Sequence, residues 1–234
     1  SRIPTLVSRA KEQGFTSLAI TDHGNLYGVV EFYSACKAAG IKPIIGCEVY
    51  VAHGSRHDKS PSEKSPYHLT LLAMDNTGYR NLIQLVTKAH LEGFYYKPRI
   101  DHELLEAHHK GIVALSGCPT GEIPRLLLEG QEAEARKQVL WYKEVFGDFY
   151  LEIQRHEHVP DLDRMNSALV PMSRELDIPL VLTNDAHYVE RRDAPIQDLL
   201  ICIHTNTNVQ DERRLRMEDD SYYLRSSEEM AALF

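Results

Sequence analysis

Two apolar runs in this chain end in a carboxylate and an imidazole. Leu18-Ala19-Ile20-Thr21 leads into Asp22-His23-Gly24, and residues 179–182 lead into Thr183-Asn184-Asp185-Ala186-His187. Residues two apart on an extended segment point to the same face, so Asp185 and His187 can bind one cation together. The alternative is a turn in which Asp185 caps the following helix and His187 is a satisfied surface residue. For the first pair, ligation is assigned to His23, and capping of the turn at residues 25–27 to Asp22. Glu48 sits inside the apolar run at residues 44–51, where a carboxylate is costly to bury unless it is paired or metal-bound. Cys118 follows Leu115-Ser116-Gly117 and precedes Pro119, a sharp turn from which a thiolate could reach a metal; a nucleophilic cysteine is the competing chemistry. His68 opens the run at residues 68–74, which creates a tension. A group at the start of a strand should face the opposite rim from groups at strand ends.

Apolar runs at residues 17–21, 43–51, 68–74, 111–115, 148–154 and 179–183 have the length and composition of strands. Between them, residues 3–13, 29–39, 77–91, 101–108, 132–146 and 162–176 carry helical periodicity, several closed by Gly14, Gly40, Gly93, Gly111 or Gly147. Such alternation predicts βα units around a parallel sheet, in which functional groups gather at one rim. Six units are one or two short of a closed barrel. The polar, Ser- and Pro-rich stretch at residues 53–66 reads as an exposed loop whose two histidines are solvated. His90, His102, His108, His109 and His204 fall in or beside helices and are assigned solvated or capping roles. After Thr205 the rhythm stops, and Ser226 begins a capping-box start to a new helix.

The 234 residues are 43% apolar and 26% charged, ordinary proportions for one globular domain. No run of about 20 apolar residues suits a membrane span, and nothing at the start reads as an export signal, so a cytoplasmic location is expected. The four cysteines are widely spaced without a Cys-x-x-Cys pair, which argues against disulfides or a zinc ribbon. A net charge of −8 makes the chain a poor nucleic-acid binder by itself.

Taken in order, Thr-Asp-His-Gly-Asn, Gly-Cys-Glu-Val-Tyr, His-Leu-Thr-Leu-Leu-Ala, Phe-Tyr-Tyr-Lys-Pro-Arg-Ile-Asp, Leu-Ser-Gly-Cys, Leu-Glu-Ile-Gln and Thr-Asn-Asp-Ala-His-Tyr resemble the PHP (polymerase and histidinol phosphatase) domain of bacterial DNA polymerase III alpha subunits. The stretches at residues 76–79, 94–101 and 228–234 resemble the polymerase branch in particular. The resemblance implies an α/β fold, a distorted seven-stranded β/α barrel of TIM-like type. It also implies a rim cluster of up to three divalent metal ions, zinc first, with manganese or magnesium as alternatives. The ligands implied are His23, Glu48, His68, Cys118, Asp185 and His187. The family's first strand, with His-x-His and a further acidic residue, would precede Ser1, which implies fewer and weaker metals and impaired hydrolysis in this chain.

The activity so implied is phosphoester hydrolysis, in some members a 3′→5′ exonuclease, with Lys97 and Arg99 as phosphate partners. The domain is expected over residues 1–208, followed by a connector at 209–234 leading toward a polymerase palm. Expected partners are the remaining alpha-subunit domains, a proofreading exonuclease subunit, and DNA held through the whole polymerase. Two other functions are weighed: a metal-stabilised scaffold bracing the polymerase and its proofreading partner, and a free-standing histidinol-phosphate phosphatase.

Overall fold

The structure, a computed structural model, describes residues 1–234. Eight strands form one curled sheet: β1 (Ser17–Ile20), β2 (Lys42–Val51), β3 (Tyr67–Ala73), β4 (Phe94–Tyr95), β5 (Lys97–Ile100), β6 (Ile112–Leu115), β7 (Phe149–Ile153) and β8 (Leu180–Leu182). Its outer face carries α1 (Ile3–Glu12), α2 (Val29–Ala39), α3 (Asn76–Leu91), α4 (His102–His108), α5 (Glu122–Leu128), α6 (Glu132–Phe146) and α7 (Pro160–Leu176). The last two helices, α8 (Ala194–Thr205) and α9 (Ser227–Ala231), follow the final strand. All six expected helices lie within two residues of their expected ranges. The short helix α5 and the β4–β5 ribbon were not expected.

Local chemistry explains the boundaries. The Asp75 carboxylate accepts from the Thr77 and Gly78 amides at 2.7 and 2.9 Å, satisfying two of the free donors that open α3. Along α6, Ala135, Val139, Tyr142 and Phe146 recur at helical spacing and are the buried residues. They join a core of 28 residues with Leu69, Leu71, Ile112, Ala114 and Leu151 from the sheet. Each fully buried Leu or Ile contributes about 1.5–3 kcal/mol relative to exposure. A second cluster, built on Val7, Leu18, Phe32 and Ile41, fastens α1 and α2 over β1.

The sheet is not parallel throughout. β3 runs antiparallel to both of its neighbours, β2 and β6, whereas β1–β2, β6–β7 and β7–β8 are parallel. The expectation of a wholly parallel sheet fails here because the β2–β3 connection carries no crossover helix, and parallel neighbours require one. The sheet order β1-β2-β3-β6-β7-β8 leaves β1 paired only with β2 and β8 only with β7, so the curl is a half-barrel open between those edges.

The loop at residues 53–66 is likewise more embedded than its composition suggested. Arg56 and Glu63 are 7% and 3% exposed. Arg56 Nη1 donates to Asp101 at 2.9 Å, and Arg99 Nη1 donates to Glu63 at 2.9 Å. His53 is not simply solvated, since its Nε2 lies 3.0 Å from the Ser65 carbonyl and its ring stacks on Tyr67.

Candidate metal centre

Beyond β1 the chain keeps to the edge of β2: the Glu48 amide donates to the Asp22 carbonyl at 3.1 Å, and the Gly24 amide to the Glu48 carbonyl at 2.9 Å. This register sets His23 beside Glu48. Gly24 has φ +64°, and a Cβ there would lie 2.8 Å from Pro98 and 3.1 Å from Tyr50, so the turn accepts only glycine. His90 holds it from outside, its Nε2 2.9 Å from the Gly24 carbonyl.

The antiparallel direction of β3 resolves the tension over His68. The start of β3 lies at the same rim as the ends of its antiparallel neighbours β2 and β6, and His68 stands opposite Tyr50 on β2. His68 Nδ1 is 2.5 Å from Glu48 Oε1, and His23 Nδ1 is 3.6 Å from the same oxygen. Donor atoms of His23, Glu48 and His68 all fall within 4.8 Å of one another. Cys118, just past β6, brings its Sγ to 3.5 Å from His68 Nδ1 and 2.9 Å from Thr120 Oγ1. Gly117 makes this approach possible: a Cβ there would lie 2.8 Å from the His68 carbonyl.

Past β8, Asp185 adopts φ +46° and turns the chain back toward the rim. The His187 Nδ1–H donates to the Asp185 carbonyl at 2.7 Å, which fixes the tautomer and leaves Nε2 as a free lone pair, as metal-binding imidazoles require. The His187 ring lies 6.0 Å from that of His23, and His23 lies 5.8 Å from His68. The capping alternative for Asp185 does not hold, because the chain reaches α8 through a 3-10 turn at Arg191–Asp193 that is capped by Glu190 and Asp193, and Asp185 caps neither. A cavity of about 610 Å³ opens onto this rim, lined by His23, Glu48, Cys118, Asp185 and His187 among others.

Burial raises the Glu48 carboxyl, but the imidazoles of His68, His23 and His187 outweigh it and hold the group below the ordinary glutamate range. Asp185 goes the other way: burial lifts it and the Glu48 charge adds, with His187 and His23 only partly offsetting them. The Cys118 thiol is pushed far up by burial and by the Glu48 and Asp185 carboxylates. A carboxylate-rich pocket that penalises a thiolate is one in which a cation relieves the repulsion and deprotonates the thiol. Imidazole, carboxylate and thiolate donors together suit zinc among common divalent ions.

The two basic candidates separate. Lys97 Nζ lies 5.4 Å from the centre of the Tyr50 ring, which itself faces His23 and His68, so Lys97 borders the rim. Arg99 does not. Its guanidinium is fully buried, with Nε donating to Gly93, Nη1 to Glu63 and Nη2 to the Arg56 and Asp58 carbonyls, which leaves no group to offer a phosphate. The capping role for Asp22 also fails, since the turn is closed by Asn25 Oδ1 accepting from the Tyr27 amide at 3.1 Å; Asp22 lines the cavity instead.

Glu152 escaped the sequence reading. It lies on β7, 4% exposed, and lines the same cavity. Its Oε1 accepts from Thr183 Oγ1 at 2.5 Å and from Gln154 Nε2 at 3.0 Å, while Oε2 has no partner. Burial first, and then the charges of Asp185 and Glu48, push its carboxyl up to about 7 against those hydrogen bonds. The signal was present in Leu-Glu-Ile-Gln, a carboxylate within an apolar strand, as at Glu48.

A PHP domain model matches residues 1–156. The chain is 48% identical over 237 residues to the DNA polymerase III subunit alpha of Borreliella burgdorferi, covering 100% of this chain and 21% of that protein. It is 45% identical over 240 residues to the corresponding Deinococcus radiodurans subunit, covering 98% of this chain and 18% of that one. Thus the chain spans about a fifth of the length of the curated relatives it matches. Among solved structures, an amidohydrolase from Chromobacterium violaceum superposes over 76% of this chain and 82% of its own with a TM-score of 0.44 at 15% identity. With the rim geometry described and the match over residues 1–156, the chain belongs to the PHP domain family.

Proposed function

We propose that this chain serves as the PHP domain of a bacterial replicative DNA polymerase alpha subunit, and that its rim is a divalent-metal phosphoesterase site of the 3′→5′ exonuclease type. The observation that carries the reading is the gathering of His23, Glu48 and His68 donors within 4.8 Å at the mouth of a cavity, with Cys118 beside them. Zinc is the ion we assign, held by these four and by Asp185 and His187. A cation there would polarise a phosphoryl oxygen and lower the pKa of a water. Within the chain, Glu48 fixes the His68 ring, the Asp185 carbonyl fixes the His187 tautomer, and Lys97 brings a positive charge to the rim for a phosphate. DNA, the remaining alpha-subunit domains and a proofreading subunit are the partners this reading assigns.

A second reading, a metal-braced scaffold without hydrolysis, is favoured by the net charge of −8, which repels a phosphate backbone. The test is metal content by elemental analysis after chelation and reloading with zinc, for the chain and for Glu48→Gln. About one or more zinc ions per chain, lost in the variant, supports the site; equal zinc in both removes Glu48 from it. Release of nucleotide from a 3′-labelled oligonucleotide then separates hydrolysis from scaffolding.

A further inference from the structure

The loop that carries Asp185 and His187 has no helix or strand of its own to hold it, yet it contains a non-glycine residue at φ +46°. Such a conformation persists only where surrounding structure enforces it. The enforcement comes from a segment more than thirty residues downstream in the sequence. Asn184 spends both amide hydrogens on it, Nδ2 donating to the Ser221 carbonyl at 2.8 Å and to the Tyr223 carbonyl at 2.7 Å. The His187 amide donates to the Tyr222 carbonyl at 2.8 Å. The segment is itself anchored from the barrel side, because Ser221 Oγ lies 2.5 Å from His156 Nδ1 and the Tyr222 ring stacks on His156 at 4.0 Å. The same Tyr222 ring meets His187 edge-on at 5.8 Å.

We propose that the strap at residues 219–223 positions the Asp-Ala-His loop for ligation, with Asn184 and Tyr222 as the positioning residues through which it acts. The proposal rests on the metal reading for its functional meaning. Its structural content is independent: the strap sets where the loop sits, and so whether the Asp185 carbonyl stays in reach of His187 Nδ1, the contact that fixes the tautomer. Loss of an outer-shell partner of this kind typically weakens metal affinity about 10–100-fold. Asn184→Asp keeps the size of the side chain but cannot donate. Tyr222→Ala removes the ring, and Tyr222→Phe retains it.

The full chain and these three variants are to be compared by zinc titration and, with chelator present, by long-range proton–nitrogen NMR of the His187 ring, with thermal unfolding as a check on the fold. Expected are a single His187 tautomer in the unaltered chain and in Tyr222→Phe, a mixture in Asn184→Asp and Tyr222→Ala, and zinc affinity at least about tenfold weaker in the latter two. If Asn184→Asp and Tyr222→Ala both keep the single tautomer, the proposal is overturned. Should Tyr222→Ala fail to fold, Asn184→Asp decides by the same criteria. Absence of zinc binding by the unaltered chain would sink the metal reading alone, because the tautomer comparison is made without metal.

Discussion

Two buried titratable groups near the rim pull stability in opposite directions with pH. His156 is lowered to about 4, chiefly by burial, with the Asp219 charge opposing, and Glu152 is raised to about 7 by burial and by the neighbouring carboxylates. For His156 the unfolded chain binds more protons between about 4 and 6.5, so this contribution is complete above 6.5 and is lost as pH falls toward 4. For Glu152 the folded chain binds more protons between about 4.5 and 7, so its contribution is complete below 4.5 and is lost as pH rises toward 7. Each slope approaches about 1.4 kcal/mol per pH unit, and across their shared window the two offset each other. Chemical denaturation of the metal-free chain should therefore show little net dependence on pH from this pair between about 4.5 and 6.5. Glu152→Gln removes one member, and its stability should climb with pH over that window. Curves for the two proteins that run parallel from pH 4 to 8 would show that Glu152 does not take up a proton in the folded state. At the ligands themselves, Glu48→Gln removes the oxygen shared by His68 and His23, and zinc affinity should drop by about 100-fold or more, beyond the usual outer-shell loss.

Among the elements, the connection from β2 to β3 departs most from expectation, and it is held by charge rather than by apolar contact. Arg99 is fully buried and Glu63 is 3% exposed, so removing one partner strands the other. Glu63→Ala should cost about 3–5 kcal/mol, the usual penalty for an uncompensated buried charge. Limited proteolysis should then cut within residues 53–66, and urea unfolding should shift to match; a change under about 1 kcal/mol would mean that the ion pair is open to water. Nothing in the composition of His-Gly-Ser-Arg-His-Asp-Lys-Ser distinguishes a solvated loop from one pinned by an arginine more than thirty residues away. The same limit explains Arg99 itself, whose Lys-Pro-Arg context suits a phosphate contact or an internal ion pair equally well. Helices α2 and α6 were legible because their apolar spacing and flanking glycines are local properties, and Asp-His and Asp-Ala-His because they sit at strand ends. The direction of β3 was not legible, since antiparallel pairing is decided by the partners across the sheet. Knowing that direction is what brings His68 to the rim.

For the whole molecule, charge and sheet closure decide how far the rim can work alone. A body carrying −8 gains little from counterion release on a phosphate backbone, and with Arg99 buried the basic group described at the rim is Lys97. The half-barrel is open between β1 and β8, and Leu182 on that edge is 42% exposed. Of the six proposed ligands, only His23, Glu48 and His68 gather within 4.8 Å without metal, which suits one cation held firmly and a second held loosely. Hydrolysis by two cations requires them about 3.5–4 Å apart, clamping both the attacking and the leaving oxygen. This chain is therefore expected to bind zinc or manganese and yet to release nucleotides from a 3′-labelled single-stranded oligonucleotide slowly or not at all. Whatever activity is found should change only shallowly between about 50 and 200 mM salt, because a rim with one basic group described releases few counterions. Asp185→Asn supplies the control, since any hydrolysis belonging to the rim must disappear with it. Rapid, metal-dependent release by this chain that vanishes in Asp185→Asn would show that the rim as it stands assembles both cations, and the argument from the open sheet would be wrong.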